Sequence, residues 1–435
     1  MGALERHQEA SFASMMERVS RDNKFYRTKF EKLGLPAHGP EIGDLAALPL
    51  TEKSELVADQ EQNPPYGTDL TWPLSNYTRV HQTSGTTGTP LRWLDTADSW
   101  SWWLDCWVDV YTAAGVTPED RLFVPFSFGP FVGFWAAFEA GPRLGCLTIP
   151  AGGLTSAQRV EKLFEYDATV LVCTPTYALR LAQVAEEAGR DLATSSVRIT
   201  VHAGEPGASL PNVRSRIEAA WGARCFDHAG ATEVGAWGYG CGESDHMHVN
   251  ERAFIPEVID PATLEPVSAQ TAGLARGELV LTNLGRIGSP VIRYRTGDLV
   301  DMSSEPCPCG RAGAWLRGGV LGRIDQMVTV RGINVYPGAL DDIVRGHPSI
   351  EEYEVHIRTE REMDQLFLKV EVGGEGSGDA AEDLVTDIHN RLQLRPTVEV
   401  VESGTLPRYE LKSRRFRGRT DDALTSSDSG SSREE

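Results

Sequence analysis

Between residues 168 and 233 the chain alternates short β-branched or apolar runs with amphipathic helical ones. ATVLVCTP precedes TYALRLAQVAEEAG, VRITVHAGE precedes NVRSRIEAAWGA, and RCFDHAGATE follows. Strand runs joined through helices are the rhythm of βαβ units, which close as a mostly parallel sheet with helices on its faces. Ligand sites in such sheets form beyond the carboxyl ends of the strands. HAGEP and DHAGATE each fall there, directly after a strand run. The expected fold class is α/β.

At 435 residues, 40% of them hydrophobic, the chain exceeds one ordinary core and should form two or three domains. Near residue 323 the texture changes. GRIDQMVTVRGINVYPGALDDIVRGHP opens a compact βα segment, YEVHIRTE and LFLKVEV read as hairpin strands, and AAEDLVTDIHNRL reads as a helix. The expected domains are 1–323, then a small α+β domain at 324–420, then a tail at 421–435, DDALTSSDSGSSREE, too poor in apolar residues to fold. A net charge of −20 argues against binding nucleic acid or an anionic membrane surface, and no apolar run approaches the ~20 residues of a membrane span. With no hydrophobic signal core at the start, the expected location is the cytoplasm. Seven cysteines, an odd number, then suggest thiols or metal ligands rather than a disulfide frame. Trp100, Trp103 and Trp107 share one helical face and read as core.

The stretch HQTSGTTGTP at 81–90 carries the first chemistry. Glycines let successive N–H groups converge and hydroxyls add neutral donors, which suits a polyphosphate. It is not a Walker A loop, because no Lys-Ser or Lys-Thr follows the second glycine. Alone, a loose run of this composition is better explained as a plain Ser/Thr/Gly turn. Four further motifs follow in order: HAGEP at 202–206, DHAGATE at 227–233, YRTGD at 294–298 and GRIDQMVTVRGINVYP at 322–337, with GTLPRYELK ending at Lys412. Together they resemble the adenylate-forming (acyl-CoA synthetase) superfamily, and within it the phenylacetate-CoA ligase-like branch, from LPLTEKSEL at 48–56 through Lys412. The resemblance implies a large N-terminal adenylating domain of mixed and parallel sheets with helices, and a small mobile α+β C-terminal domain.

It also implies ATP, Mg²⁺ and coenzyme A as cofactors. Thr83, Ser84, Gly85, Thr86, Thr87 and Gly88 would cradle the β- and γ-phosphates, and Thr89 stands where many members carry a lysine. Glu233 would hold Mg²⁺ and Thr232 would contact the α-phosphate, although Thr-Glu after a glycine is equally a helix N-cap signal. Asp298 would accept both ribose hydroxyls, with Arg323 beside it. Glu205, Pro206, Asp227 and His228 would line the adenine pocket, where Ala229 replaces a tyrosine common in the superfamily. Lys412 would reach the α-phosphate and the acid, although Arg408, Arg414, Arg415, Arg417 and Arg419 around it also read as a solvated basic face. Asp325 would be the hinge for domain rotation, and Gly332 would line the coenzyme A tunnel.

For the acid, PFSFGPFVGFW supplies Phe126, Phe128, Phe131, Phe134 and Trp135. Phe131 and Phe134 are the favoured contacts, with Ala203 and Gly204 leaving a slot for a flat ring, although core packing explains many of these aromatics too. CPCGR and CGESDHMH place Cys307, Cys309, Cys241 and His248 as two close pairs of soft or borderline ligands, fit for a closed tetrahedral Zn²⁺ site. The alternative is free buried thiols. HVNE after Met247 matches the branch and favours His248 over His246.

The expected activity is ATP-dependent activation of an aromatic or arylacetic acid to an acyl-adenylate, then thioesterification to coenzyme A. An amine, a hydroxyl or the thiol of a separate carrier protein is the alternative acceptor in small-molecule biosynthesis, and a catalytically silent nucleotide-binding regulator is the rival of another class. The branch also points to a homodimer.

Overall fold

The computed structural model describes residues 2–34, 40–83, 90–126, 128–269, 273–331, 333–360, 363–373, 379–410 and 412–420, and the tail expected at 421–435 lies outside them. The chain divides into two compact units, Met1–Asp325 and Gln326–Glu435.

In the first unit, α1 (Ala3–Asp22), α2 (Lys24–Glu31) and α3 (Lys53–Gln62) precede a hairpin of β1 (Tyr77–Gln82) and β2 (Arg92–Thr96). Helix α4 (Ala97–Ala114) starts where the Thr96 hydroxyl accepts a hydrogen bond from the Ser99 amide, and ends at Gly115, whose φ of 83° favours glycine. It buries Trp100, Trp103 and Trp107 in the core, as their shared face requires. Alternation follows: β3 (Arg121–Val124), α5 (Gly133–Leu144), β4 (Leu147–Pro150), α6 (Ser156–Glu165), β5 (Val170–Cys173), α7 (Pro175–Glu187), β6 (Ile199–His202), α8 (Pro211–Trp221) and β7 (Arg224–Ala231). Strands β4, β3, β5, β6 and β7 are parallel neighbours in that order. Every residue of β5 and β6 is buried. On one face Val170, Val172, Ile199 and Val201 meet the α4 tryptophans, and on the other Leu171 and Cys173 meet Tyr177, Leu181, Ile217 and Trp221. Such double coverage is why these strands read as continuous apolar runs.

Past β7 the architecture departs from a mostly parallel sheet. β8 (Gly235–Gly240), β9 (Met247–Val249), β10 (Phe254–Ile259), β11 (Ala275–Asn283), β12 (Tyr294–Ser303) and β13 (Trp315–Arg323) are antiparallel, giving one mixed 11-stranded sheet in the order β10-β11-β12-β13-β9-β8-β7-β6-β5-β3-β4. The cause is local. β7 feeds no helix but turns back on itself at Ala231, and β8 pairs with it directly.

The second unit has a hairpin of β14 (Val328–Val330) and β15 (Ile333–Val335), then α9 (Pro337–Arg345), β16 (Ile350–Glu360), β17 (Met363–Val372), α10 (Ala380–Leu392), β18 (Thr397–Val401) and β19 (Phe416–Thr420). Its four-stranded sheet, β18-β17-β16-β19, shares a core with α9 and α10 through Leu340, Ile343, Val355, Leu368, Leu384 and Ile388. Among the described residues no helix is long and apolar enough to cross a membrane.

Candidate active site

Cys173, His202 and Asp227 are register partners on β5, β6 and β7, so the carboxyl ends of β5 and β6 stop level while β7 runs on to Ala231. On the ledge past β6, Ala203 is half-buried, and Gly204 and Pro206 are exposed. Glu205 accepts a 2.9 Å hydrogen bond from the Thr176 amide in the first turn of α7, where a carboxylate suits the helix dipole. Asp227 hydrogen-bonds Ser209, and burial pushes its carboxyl up to about 6. His228 faces the other way, because successive strand residues alternate. Its ring centroid lies 4.2 Å from that of Trp107, its Nδ1 is 2.6 Å from the Gly238 carbonyl oxygen, and burial lowers it to about 4. The sequence reading that joined Asp227 and His228 in one wall is corrected by this alternation.

Thr232 and Glu233 occupy the β7–β8 turn, closed by Val234 N–H donating to the Ala231 carbonyl at 3.1 Å. No helix begins there, so the N-cap alternative falls. Glu233 is buried, its Oε1 lies 3.1 Å from Lys53 Nζ, and burial together with the Glu233 charge pushes the Tyr294 phenol well above its ordinary range. Lys53 opens α3, which Thr51 holds in place. Thr51 N–H donates to Arg293 O at 2.8 Å, Arg295 N–H donates to Thr51 O at 2.9 Å, and the Thr51 hydroxyl donates to Ile292 O at 2.8 Å. Glu52 pairs with Arg295 at 2.8 Å. The Lys53 ammonium shows that the carboxylate accepts a cation, and the carboxylate and hydroxyl of Glu233 and Thr232 are the hard oxygen donors that Mg²⁺ prefers. Sequence reasoning missed both Lys53 and Tyr294. LPLTEKSEL marked only where the resemblance begins, and Tyr294 passed as the first letter of a motif valued for its aspartate.

Asp298 on β12 is the register partner of Arg323 on β13. Arg323 Nη1 lies 3.4 Å from Asp298 Oδ1 and donates to Thr296 O at 3.1 Å, while its Nε and Nη2 grip Asp325 at 2.9 Å each. Gly297, with φ of 74°, passes so close that a Cβ would lie 3.0 Å from Arg323 Nη2. Burial pushes the Asp298 carboxyl up to about 6 against the opposing pull of Arg323. Asp325 falls at the boundary between the units.

At the Ser/Thr/Gly loop the structure describes the base. Thr83 N–H donates to Leu91 O, and Leu91 N–H donates to Thr83 Oγ1, both at 3.0 Å. Ser84, Gly85, Thr86, Thr87 and Gly88 lie outside the described residues, as does Gly332. Phe134 is buried with its ring 4.5 Å from that of Phe126, whereas Phe131 is 39% exposed. Of the favoured pair only Phe134 is enclosed.

In the second unit Lys412 is exposed, between β18 and β19. Three of its basic neighbours are paired, while Arg414 and Arg417 stay exposed as a solvated face requires. Arg408 pairs with Glu371 at 2.6 Å, Arg415 pairs bidentately with Glu352 at 2.5 and 3.0 Å, and Arg417 pairs with Glu354. Glu352, Glu354 and Glu371 project from β16 and β17, so these pairs anchor the strap carrying Lys412.

Cys241 follows β8, His248 sits on β9, and Cys307 and Cys309 lie in the β12–β13 connection. One ligand atom from each falls within 4.8 Å of all the others. Cys241 Sγ is 4.0 Å from Cys307 Sγ, and Cys309 Sγ is 3.3 Å from His248 Nε2. A tetrahedral centre with metal–sulfur bonds of ~2.3 Å has ligand edges of roughly 3.8 Å, so the set fits a metal with little movement. His246, which stacks on Trp315 with centroids 4.1 Å apart, is not one of the four.

Residues 47–289 match the family described as AMP-binding enzyme, and residues 332–419 match the AMP-binding enzyme C-terminal domain. The chain is 30% identical to the phenylacetate-coenzyme A ligase of Escherichia coli K12, over 89% of this chain and 88% of that one. It is likewise 30% identical to the phenylacetate-coenzyme A ligase of Pseudomonas putida, over 86% of this chain and 83% of that one. A crystal structure of 2-hydroxyisobutyryl-CoA ligase in the postadenylation state superimposes with a TM-score of 0.88 at 29% identity, covering 97% of this chain and 91% of that one.

Proposed function

We propose, from the premise that this chain belongs to the AMP-binding enzyme family and is an AMP-forming acid–CoA ligase of its phenylacetate-CoA ligase-like branch, that the acid it activates is aromatic or arylacetic. The observation that carries this reading is an aromatic cluster that follows β3. Phe126, Phe128, Phe134 and Trp135 pack with ring centroids 4.5 to 6.1 Å apart, and Ala203 and Ala229 pack on the same core. Such a wall favours a flat ring.

In the first half-reaction a carboxylate oxygen attacks the α-phosphorus of ATP and the bond to the bridging oxygen breaks, releasing pyrophosphate. In the second, the coenzyme A thiolate attacks the acyl carbon and AMP leaves. Negative charge grows on the phosphates in the first step and must be met by fixed donors. We assign Thr83 and the loop after it to the β- and γ-phosphates, Thr232 to the α-phosphate, and Lys412 to the transferring centre. Glu233 and Thr232 would hold Mg²⁺, which when bound neutralises phosphate charge. Lys53, beside Glu233, is placed to supply the cation that the loop lacks at Thr89. Asp298, with Arg323, would take the ribose, Asp227 and Ala229 the adenine side, and Asp325 the hinge. Cys241, His248, Cys307 and Cys309 would hold a structural zinc, since four protein ligands leave no open position.

A panel of benzoates, aminobenzoates, hydroxybenzoates and phenylacetates, with 2-hydroxyisobutyrate as the contrasting acid, tests the substrate class by mass spectrometry of the CoA thioesters. At least one aryl acid should exceed 2-hydroxyisobutyrate in kcat/KM by ~10²-fold or more, since each apolar group that fills a pocket is worth roughly tenfold or more. A preference for the short hydroxy acid would overturn the aromatic assignment.

The ribose assignment has a pH signature. Ionised Asp298 offers both oxygens to the ribose hydroxyls, whereas protonation turns one of them into a donor, and burial pushes this carboxyl up to about 6. KM for ATP should therefore be flat above that pH and climb toward tenfold per unit below it. An Asp298→Asn enzyme should lose this limb, and its survival in that variant would assign the limb to another group.

A further inference from the structure

Arg286, in the connection between β11 and β12 and outside every chemistry-bearing motif of the sequence, is 0% exposed. Its Nε and Nη2 each donate to one oxygen of Asp95 at 2.7 Å, and that carboxylate is 0% exposed as well. Nη1 donates to the carbonyl oxygens of Thr232 at 2.5 Å and Glu233 at 3.3 Å. The rings of Trp93 and Trp103 lie 5.3 and 5.2 Å from its guanidinium carbon. Asp95 belongs to β2, the strand by which the chain leaves the Ser/Thr/Gly loop. The junction is reinforced twice: Asn283 Nδ2 donates to Val234 O at 3.1 Å, and the Ser289 hydroxyl donates to Leu94 O at 3.0 Å.

Packing alone does not require this arrangement. A buried ion pair gives up hydration that its mutual attraction does not always return, and apolar side chains of the same volume often serve stability as well. What the guanidinium adds is direction. One edge grips a carboxylate bidentately while the remaining nitrogen holds two carbonyls of one turn, a span that the compact ammonium of lysine cannot reproduce. With those carbonyls turned toward Arg286, the Glu233 carboxylate is left to face Lys53.

We infer that Arg286 is a positioning residue for adenylation: it fixes the Thr232–Glu233 turn to β2, so that turn and strand keep one spacing. This rests on the reading of Thr232 and Glu233 as the turn that meets Mg²⁺ and the α-phosphate. Arg286→Lys keeps a charge beside Asp95 but loses the bridge.

The test compares Arg286→Lys with Glu233→Gln. Four quantities are read for each: the rate of pyrophosphate release at saturating Mg²⁺, the Mg²⁺ concentration that half-saturates it, thioester formation from chemically supplied acyl-adenylate, and Tm. Arg286→Lys should raise the Mg²⁺ requirement by ~10-fold or more and slow adenylation by 10- to 100-fold, the cost of misplacing a reacting group by about 1 Å, with the thioester step within about threefold of wild type. A merely structural arginine would lower Tm and depress both steps together. If Glu233→Gln shifts the Mg²⁺ requirement and a folded Arg286→Lys does not, the inference falls and the reading of Glu233 stands; if neither shifts, that reading falls as well. Should Arg286→Lys fail to fold, hydrogen exchange of the wild-type chain decides. Mg-ATP should protect residues 92–96 and 284–289 with the same midpoint as 230–236, and protection confined to 230–236 would overturn the coupling.

Discussion

Replacing Lys412 with alanine is expected to slow acyl-adenylate formation by ~10²-fold or more, the usual cost of removing one transition-state donor, while thioester formation from supplied adenylate stays within a few-fold of wild type. The separation follows from where charge develops. Adenylation brings the carboxylate onto the α-phosphorus and passes charge to the departing pyrophosphate, whereas the second step takes place at the acyl carbon, where the thiolate's charge passes to the departing AMP. The variant should also remain folded. Lys412 is exposed, and the strap that carries it is anchored by the Arg408–Glu371 and Arg415–Glu352 pairs, which the substitution leaves untouched. Stopped-flow pyrophosphate release measures the first step, and thioester absorbance from synthetic adenylate the second. If both steps fall alike, Lys412 serves the fold of the second unit; if adenylation is unchanged, the assignment fails. Lys53→Ala is expected to act differently in the same assays, raising KM for Mg-ATP more than it lowers kcat, because its ammonium contacts the Glu233 carboxylate rather than the α-phosphorus side.

What the sequence disclosed and what it withheld divide along physical lines. The parallel half of the sheet was legible because buried strands and amphipathic helices impose two different periods on residues 168–231. The antiparallel half was not. Its strands are joined by irregular connections, and nothing in GATEV announces that the chain turns back at Thr232 instead of entering a helix. Glu233 and Asp298 stood out as candidates because each sits in a motif with its glycine or threonine. Lys53 and Arg286 did not, because their contacts lie remote in sequence; Arg286 is 191 residues from Asp95. The basic run around Lys412 misled for a related reason. Glu371, Glu352 and Glu354 pair Arg408, Arg415 and Arg417 of it from strands more than 30 residues upstream, and a run of charge carries no mark of what lies opposite. Asp227 and His228, adjacent in sequence, were read as one wall although a strand sends neighbours to opposite faces.

The metal cluster yields the second large effect. Purified protein is expected to carry about one zinc per chain through gel filtration, and the double variant Cys307→Ser/Cys309→Ser should lose it and melt on the order of 10 °C lower. The magnitude follows from what the four ligands join. β9 has only three residues and sits between β8 and β13, inside the antiparallel half. It meets β13 through two register pairs, Trp315 with His248 and Leu316 with Met247. Two such pairs are a weak seam in the middle of a sheet, and a shift there would expose Met247 and Leu316, which are 1% and 0% exposed. Cys241 and His248 on one side and Cys307 and Cys309 on the other bracket this seam, so a metal between them converts it into a cross-link. Several kcal/mol of metal binding added to the folded state would account for the melting shift in a unit of this size. Activity should respond much less. The cluster lies where Ser303 pairs with Trp315, at the opposite end of the β12–β13 pairing from Asp298 and Arg323. Metal-free enzyme assayed at 25 °C should therefore keep kcat within a few-fold of wild type while losing activity sooner on warming. Elemental analysis and differential scanning calorimetry read the two halves of the prediction. A chain that binds no zinc and whose double serine variant melts with the wild type would identify these cysteines as ordinary buried thiols.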